Sequence, residues 1–180
     1  EGDESAWPIG GNRFQSSAGE WVPLYEGKMV QAFDHRASDI VLAAENVFWS
    51  GQGSDLTDDE HRDPARLPTP RYWVKANDTG WEAPTDWCLA MKDVTSVTNA
   101  RTTITTIMPR YGAGHTLPVL FPGKGDDRAS YIRSAPLLLA NLNCVVLDYL
   151  ARQKVHGNHL AWYLVEQLPF VLPNEYARAF

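Results

Sequence analysis

The segment RTTITTIMP, Arg101 to Pro109, is β-branched at nearly every position and stops at a proline, which predicts a β-strand. Such a strand needs pairing partners at its edges and an apolar cover on at least one face. That cover is encoded further along. The stretch SAPLLLANLNCVVLDYLARQKV places Leu138, Leu142, Val145 and Tyr149 on one helical face, with Leu139 and Val146 beside them, and predicts one or two helices with a buried face.

Other segments complete a coarse map. WVPLYEGKMV reads as a strand interrupted by a Glu-Gly-Lys turn, and FDHRASDIVLAAENVF as a loop followed by a short helix. LPTPRYWVKAND reads as a loop entering a strand, Arg71 to Lys75. DVTSVTNA resembles a short capped helix, and LAWYLVEQLPFVLP a strand-like return. Residues 1–20, rich in Gly and Ser, read as a linker or irregular lead-in, and residues 21–180 as a single domain. The expected fold class is α/β in the α+β sense: a mixed, mainly antiparallel sheet with helices packed between Ser130 and Val155.

Composition narrows the function classes. At 44% hydrophobic and 21% charged residues, the chain has the content of an ordinary folded domain. Its longest apolar runs, PLLLA and CVVL, fall far short of the ~20 residues that cross a bilayer, and no basic-then-apolar leader opens it, so no membrane partner and a cytoplasmic location are expected. Cys88 and Cys144 stand alone without Cys-x-x-Cys spacing, which excludes a zinc knuckle and fits a reducing compartment. The start at Glu1-Gly2-Asp3, without methionine, suggests a piece of a longer polypeptide. The net charge of −6 is unevenly spread: residues 1–90 carry 16 of the 22 acidic and 7 of the 16 basic side chains, a balance of −9, against +3 for residues 91–180. Much of the acidity lies in SDLTDDEHRDP, Ser54 to Pro64, which reads as a solvated loop able to face away from a polyanion.

No catalytic constellation stands out. GQGSDL and EGKM complete neither a dinucleotide fingerprint nor a phosphate loop. His156 and His159 flank Asn158 without a third metal ligand in sight, so a polar loop is the favoured reading and no metal is assigned. No nucleophile elbow, carboxylate pair or Ser/His/Asp arrangement rises above scatter. Asn77-Asp78-Thr79 fits a glycosylation acceptor, but no secretion signal supports its use.

Four blocks, PLYEGKMVQAFDHR, PRYWV, DWCLAMKDVTSVTNARTTITTIMP and LLANLNCVVLDYLARQKVHGNHLAWYLVEQLP, follow one another in a telling order. Together they resemble the TaqI-like C-terminal specificity domain of Eco57I-type restriction–modification adenine methylases, over roughly residues 21–176. The resemblance implies a fold similar to type I specificity-subunit recognition domains and a function in recognising a double-stranded DNA target. It also implies an upstream catalytic methyltransferase domain that binds S-adenosylmethionine and carries an Asn-Pro-Pro-Tyr/Phe motif. Neither feature occurs in these 180 residues, so no cofactor is expected in this segment. An endonuclease fusion in the parent is compatible with the family.

In relatives the block matching PLYEGKM leads from the catalytic into the recognition domain. Lys28 and Arg36 are then candidates for phosphate contacts, which fix register without reading sequence. Their plain alternative is a salt-bridged surface, Asp34 with Arg36 or Glu26 with Lys28. Arg suits guanine edges and Asn adenine edges, each good bidentate pair contributing about 1–3 kcal/mol of discrimination. Candidates by type and place are Arg71 beside Tyr72 and Trp73, Arg101 and Arg110 at either end of the predicted strand, and Lys154, His156, Asn158 and His159 in the KVHGNH loop. Trp73, Trp81, Trp87 and Trp162 read as core residues rather than base-stacking ones. The competing class is a protein-interaction or scaffold module of a defence complex.

Overall fold

The computed structural model describes residues 5–42, 51–78, 81, 84–121, 123, 127–172 and 175–177. Within them the chain runs β1 (Trp7–Gly10), β2 (Arg13–Ser16), β3 (Gly19–Pro23), β4 (Ser38–Val41), β5 (Gln52–Asp55), α1 (Asp58–Arg62) and β6 (Trp73–Lys75). It continues through β7 (Trp87–Met91), β8 (Thr105–Pro109), β9 (Val119–Leu120), α2 (Arg128–Leu142), α3 (Val145–Lys154) and α4 (Trp162–Val165). The strands form three antiparallel sheets ordered β1-β2-β3-β6, β4-β5 and β8-β7-β9. The class is therefore mixed α+β with mainly antiparallel open sheets, as the sequence predicts.

Strand β7 organises the interior. Because side chains alternate across a strand, Cys88 and Ala90 face a cluster containing Tyr25, Met29, Val30, Ile40, Met108 and Leu117. Leu89 and Met91 face the helices: Leu89 packs with Tyr131 and Ala135, and Met91 with Leu142, Leu147, Ala151 and Val155. Both faces are covered, so WCLAM reads as a continuous apolar run. The Cys88 thiol, wholly buried, is pushed up to about 12 by that burial.

The structure corrects several local expectations. Residues 7–16 form a hairpin and not an irregular lead-in; Gly10 and Gly11, at φ of +92° and +61°, make its turn, and Gly19, at +119°, closes the next turn into β3. A Cβ on Gly11 would lie 2.0 Å from the Ala65 carbonyl oxygen, so this glycine also permits a close backbone approach. Ser38–Val41 pairs residue by residue with Gln52–Asp55 as a strand where a helix was expected; residues 43–50 of that segment lie outside the described residues. The acidic segment is a short helix, with the Thr57 hydroxyl accepting from Glu60 N–H and acids in the first turn, where the helix dipole favours them. DVTSVTNA is not helical: Ser96 Oγ accepts from Thr98 N–H, and Val94 bridges to His159. LAWYLVEQLPFVLP gives the short helix α4 and not a strand.

The predicted helical stretch breaks in two, with α2 and α3 bent 64° apart. Leu142 stays buried, but Val145 is 72% and Tyr149 62% exposed, because the chain restarts at Cys144 and rotates the buried face to Leu147, Asp148 and Ala151. The break has a job. Asn143 turns its side chain onto β8, Oδ1 accepting from Thr105 N–H (3.0 Å) and Nδ2 donating to Thr105 O (2.7 Å). One turn on, Asp148 Oδ1 accepts from Thr102 N–H, Thr103 N–H and Thr103 Oγ1 at 2.7, 2.7 and 3.0 Å. This explains why RTTITTIMP is a strand only from Thr105: the amides of Thr102 and Thr103 are taken by a helix carboxylate. Arg101 and Arg152 complete the network, each 3.6 Å from a different Asp148 oxygen.

Asp148→Ala would leave two buried amides without an acceptor and two arginines without their anion, a change expected to destabilise the fold by about 3–5 kcal/mol in urea titration. A loss below about 1 kcal/mol, the ordinary worth of an exposed ion pair, would show that the network does not hold the helices.

Candidate nucleic-acid interface

A groove of about 580 Å³ gathers residues from five parts of the chain. Its cations are Lys28 from the 3-10 turn Gly27–Met29, Arg71 ahead of β6, and Lys92 just after β7, with His115 and Asn158 on its wall. Among the described residues, Glu26 is the one carboxylate in that lining.

The 3-10 turn is seated by its glycine. Gly27 N–H donates to Thr116 Oγ1 (3.1 Å), and a Cβ at Gly27 would meet Thr116 O at 2.7 Å, so EGKM needs its glycine for close packing and not for a phosphate loop. Lys28 Nζ donates to Gly51 O at 2.6 Å. Lys92 lies partly beneath the surface, and burial first, then the charge of Lys28, holds its ammonium below the usual lysine range. Two like charges thus share one groove, a setting that an anion relieves. The Arg71 guanidinium lies 4.9 Å from the centre of the Tyr72 ring.

A second groove of about 520 Å³ shares Asn158 with the first. Lys154, His156, Asn158 and His159 all line it, so the structure brings together the loop residues that the sequence singles out. The loop is zipped to the segment after β7: Thr95 N–H donates to Asn158 O (2.9 Å), Leu160 N–H to Asp93 O (2.8 Å), and His159 Nδ1 sits 2.8 Å from Asp93 Oδ2. Backbone bonds fix the loop while the side chains of His156 and Asn158 remain exposed. Lys154 Nζ donates to Gln167 Oε1 at 3.2 Å, an exposed contact that a phosphate can replace.

Other candidates lie elsewhere. Arg36 Nη1 donates to Asp63 O and Arg66 O and Nη2 to His61 O, so this guanidinium ties down the acidic α1 segment. Its partners are carbonyls, not the carboxylate pairing expected for a salt-bridged surface. Arg101 donates to Asn143 O and faces Asp148. Arg110 lines neither groove; its backbone N–H donates to Asp86 O. Trp87, stacked on Tyr131, and Trp81, edge-on to Phe121, are half-buried against the core clusters; Trp73, edge-on to Phe14, is half-buried outside them, and Trp162 is exposed. Sequence reasoning missed Lys92 and His115. The signal for Lys92 was present, a lone cation directly after the apolar run WCLAM; that for His115 was only its place in a Gly-containing loop.

No family model, curated protein or solved structure matches the chain.

The Asp34-His35-Arg36 cluster is half-buried and bonded within the fold. The Tyr25 hydroxyl, kept protonated by burial, lies in hydrogen-bond contact with His35 Nδ1 at 2.9 Å. Burial and then the Arg36 charge push His35 down to about 4, so the folded state holds it neutral. Because this lies below the unfolded value near 6.5, its contribution to stability is complete above about pH 6.5 and is lost as pH falls towards 4, by about 1.4 kcal/mol per pH unit. Urea titrations of wild type and His35→Asn across that window are expected to converge as pH falls. A constant difference between them would contradict a neutral, buried His35.

Proposed function

We propose that the chain recognises the DNA target for an adenine-specific methyltransferase of a restriction–modification or phage-defence system. The observation that carries this reading is the convergence of Lys28, Arg71 and Lys92 in one groove that adjoins the Lys154–His159 loop at Asn158. Cations in a groove suit phosphates, and an adjoining loop with exposed amide and imidazole groups suits base edges. Arg36 fastens the acidic α1 segment to the 34–36 turn, and the carboxylates of that segment keep the expected DNA affinity low. Methyl transfer and S-adenosylmethionine belong in this reading to an upstream catalytic domain, and this chain alone is expected to transfer no labelled methyl group to DNA.

The competing reading, a protein-interaction or scaffold module, draws on the exposed apolar side chains Val145, Val146 and Tyr149 of α3. In the DNA reading the same face is available to the catalytic domain.

Gel shifts against random-sequence duplex at rising salt separate the two readings. Weak binding that falls steeply with salt is expected, and Lys92→Ala is expected to lower the log–log salt slope by ~0.9 and weaken all sequences alike. Lys154→Ala should act in the same way. Asn158→Ala, placed in the parent methyltransferase, should instead relax the choice at one base pair at a cost of about 1–3 kcal/mol, read by methylation-site mapping. Binding that ignores salt, or variants with unchanged affinity and target, would remove the groove from the function.

A further inference from the structure

Phe33 holds a conformation that its own chemistry does not favour. Among the described residues, two non-glycine residues have positive φ, Asn12 at +59° and Phe33 at +66°. Asn12 explains itself: asparagine tolerates this region, and its Nδ2 donates to Leu67 O (2.6 Å) and Thr69 Oγ1 (3.0 Å). Phenylalanine has no such side-chain bond to make, and at the third position of a tight turn with positive φ the usual residue is glycine.

The turn is nevertheless fixed from several sides. Gln31 N–H donates to Asp34 O (2.8 Å), Asp34 N–H to Gln31 O (3.0 Å), and Phe33 N–H to Thr105 O (3.0 Å). Below it, Arg36 N–H donates to Asp34 Oδ1 (2.7 Å), and Asp34 Oδ2 meets His61 Nε2 at 3.1 Å. All this holds a ring that is 61% exposed and belongs to none of the three core clusters. The fold thus keeps a strained backbone whose side chain contributes nothing to the core. Strain maintained in that way points to a contact made outside the fold.

We infer that Phe33 is an aromatic wedge that enters the base stack of bound duplex DNA, an inference that rests on the DNA-recognition reading above. An inserted side chain must be apolar, planar or bulky, and carried on a backbone that does not give way, and those are the properties of this turn. Its position fits the groove. Phe33 N–H donates to Thr105 O (3.0 Å) and Lys92 N–H to Ile104 O (2.8 Å), so the turn and the groove lysine are fastened to consecutive residues of the chain entering β8. The neighbouring carboxylate of Asp34 is engaged by Arg36 N–H and His61, and both contacts lower its repulsion of a phosphate. The exposed Val145 and Tyr149 have ordinary helical backbones and carry no comparable strain.

The substitution Phe33→Gly separates wedge from scaffold, because glycine suits the turn while removing the ring. Its Tm is expected to equal or exceed that of the wild type. Anisotropy titrations would use two short mixed-sequence duplexes, one intact and one with a single-base bulge that lowers the cost of unstacking. Wild type should prefer the bulged duplex by about tenfold, Phe33→Gly should lose that preference while keeping the salt slope on intact duplex, and Phe33→Trp should restore it. If the wild type binds neither duplex, the DNA reading and the wedge fall together. If it binds both and Phe33→Gly keeps the same preference, or the wild type shows none, the wedge alone is overturned. A lower Tm for Phe33→Gly would mean that the ring serves the fold, and would overturn it as well.

Discussion

The carboxylate of Asp148 is the anchor on which the arrangement depends. It lies on a buried face of α3, accepts from two consecutive amides and a hydroxyl in the chain leading into β8, and attracts Arg101 and Arg152. Arg152 in turn donates to the carbonyls of Val97, Asn99 and Ala100. A buried carboxylate is costly to desolvate, and only this density of donors offsets the cost. The gain is positional. The helices are locked against β8, and the segment from Lys92 to Thr103, which forms one wall of the cationic groove, is given a defined course without regular secondary structure.

From that anchor the site follows by close approach. Strand β7, buried on both faces, ends at Met91 and delivers Lys92 to the surface. Gly27 lets the 3-10 turn approach Thr116 closely enough to bring Lys28 to the same groove. The 156–159 loop is then drawn against residues 93–95 by backbone bonds and by His159 on Asp93, while the side chains of His156 and Asn158 stay exposed. Two lysines sharing a groove repel each other in the unbound chain, and attraction of both to a polyanion would outweigh that repulsion.

Much of this was legible in the sequence where local and tertiary preferences agree. The β-branched run does contain β8, Arg71 to Lys75 does lead into β6, and the Leu-rich stretch is helical. The KVHGNH loop, singled out for its polar, Gly-containing character, lines a groove. The failures share a cause, since each depends on partners distant in sequence. Thr102 and Thr103 have strand-like side chains, but their amides are captured by Asp148, 45 or more positions away. Val145 and Tyr149 continue the helical periodicity of Leu138 and Leu142, yet Asn143 leaves the helix for Thr105 and the phase is lost. DVTSVTNA has the caps of a helix but is claimed by the loop around His159. Arg36 and Arg101 looked like free cations because nothing local shows which carbonyls they will meet.

The central claim is that the surface around Lys28, Lys92 and Asn158 meets DNA. Amide NMR of the chain titrated with a short duplex tests it directly, because each residue reports separately. The account predicts that the largest shifts fall on residues 27–28, 92–96, 115–116 and 154–159, and that they recede with added salt. Shifts confined to the Val145–Tyr149 face of α3, or none at any duplex concentration, would contradict it.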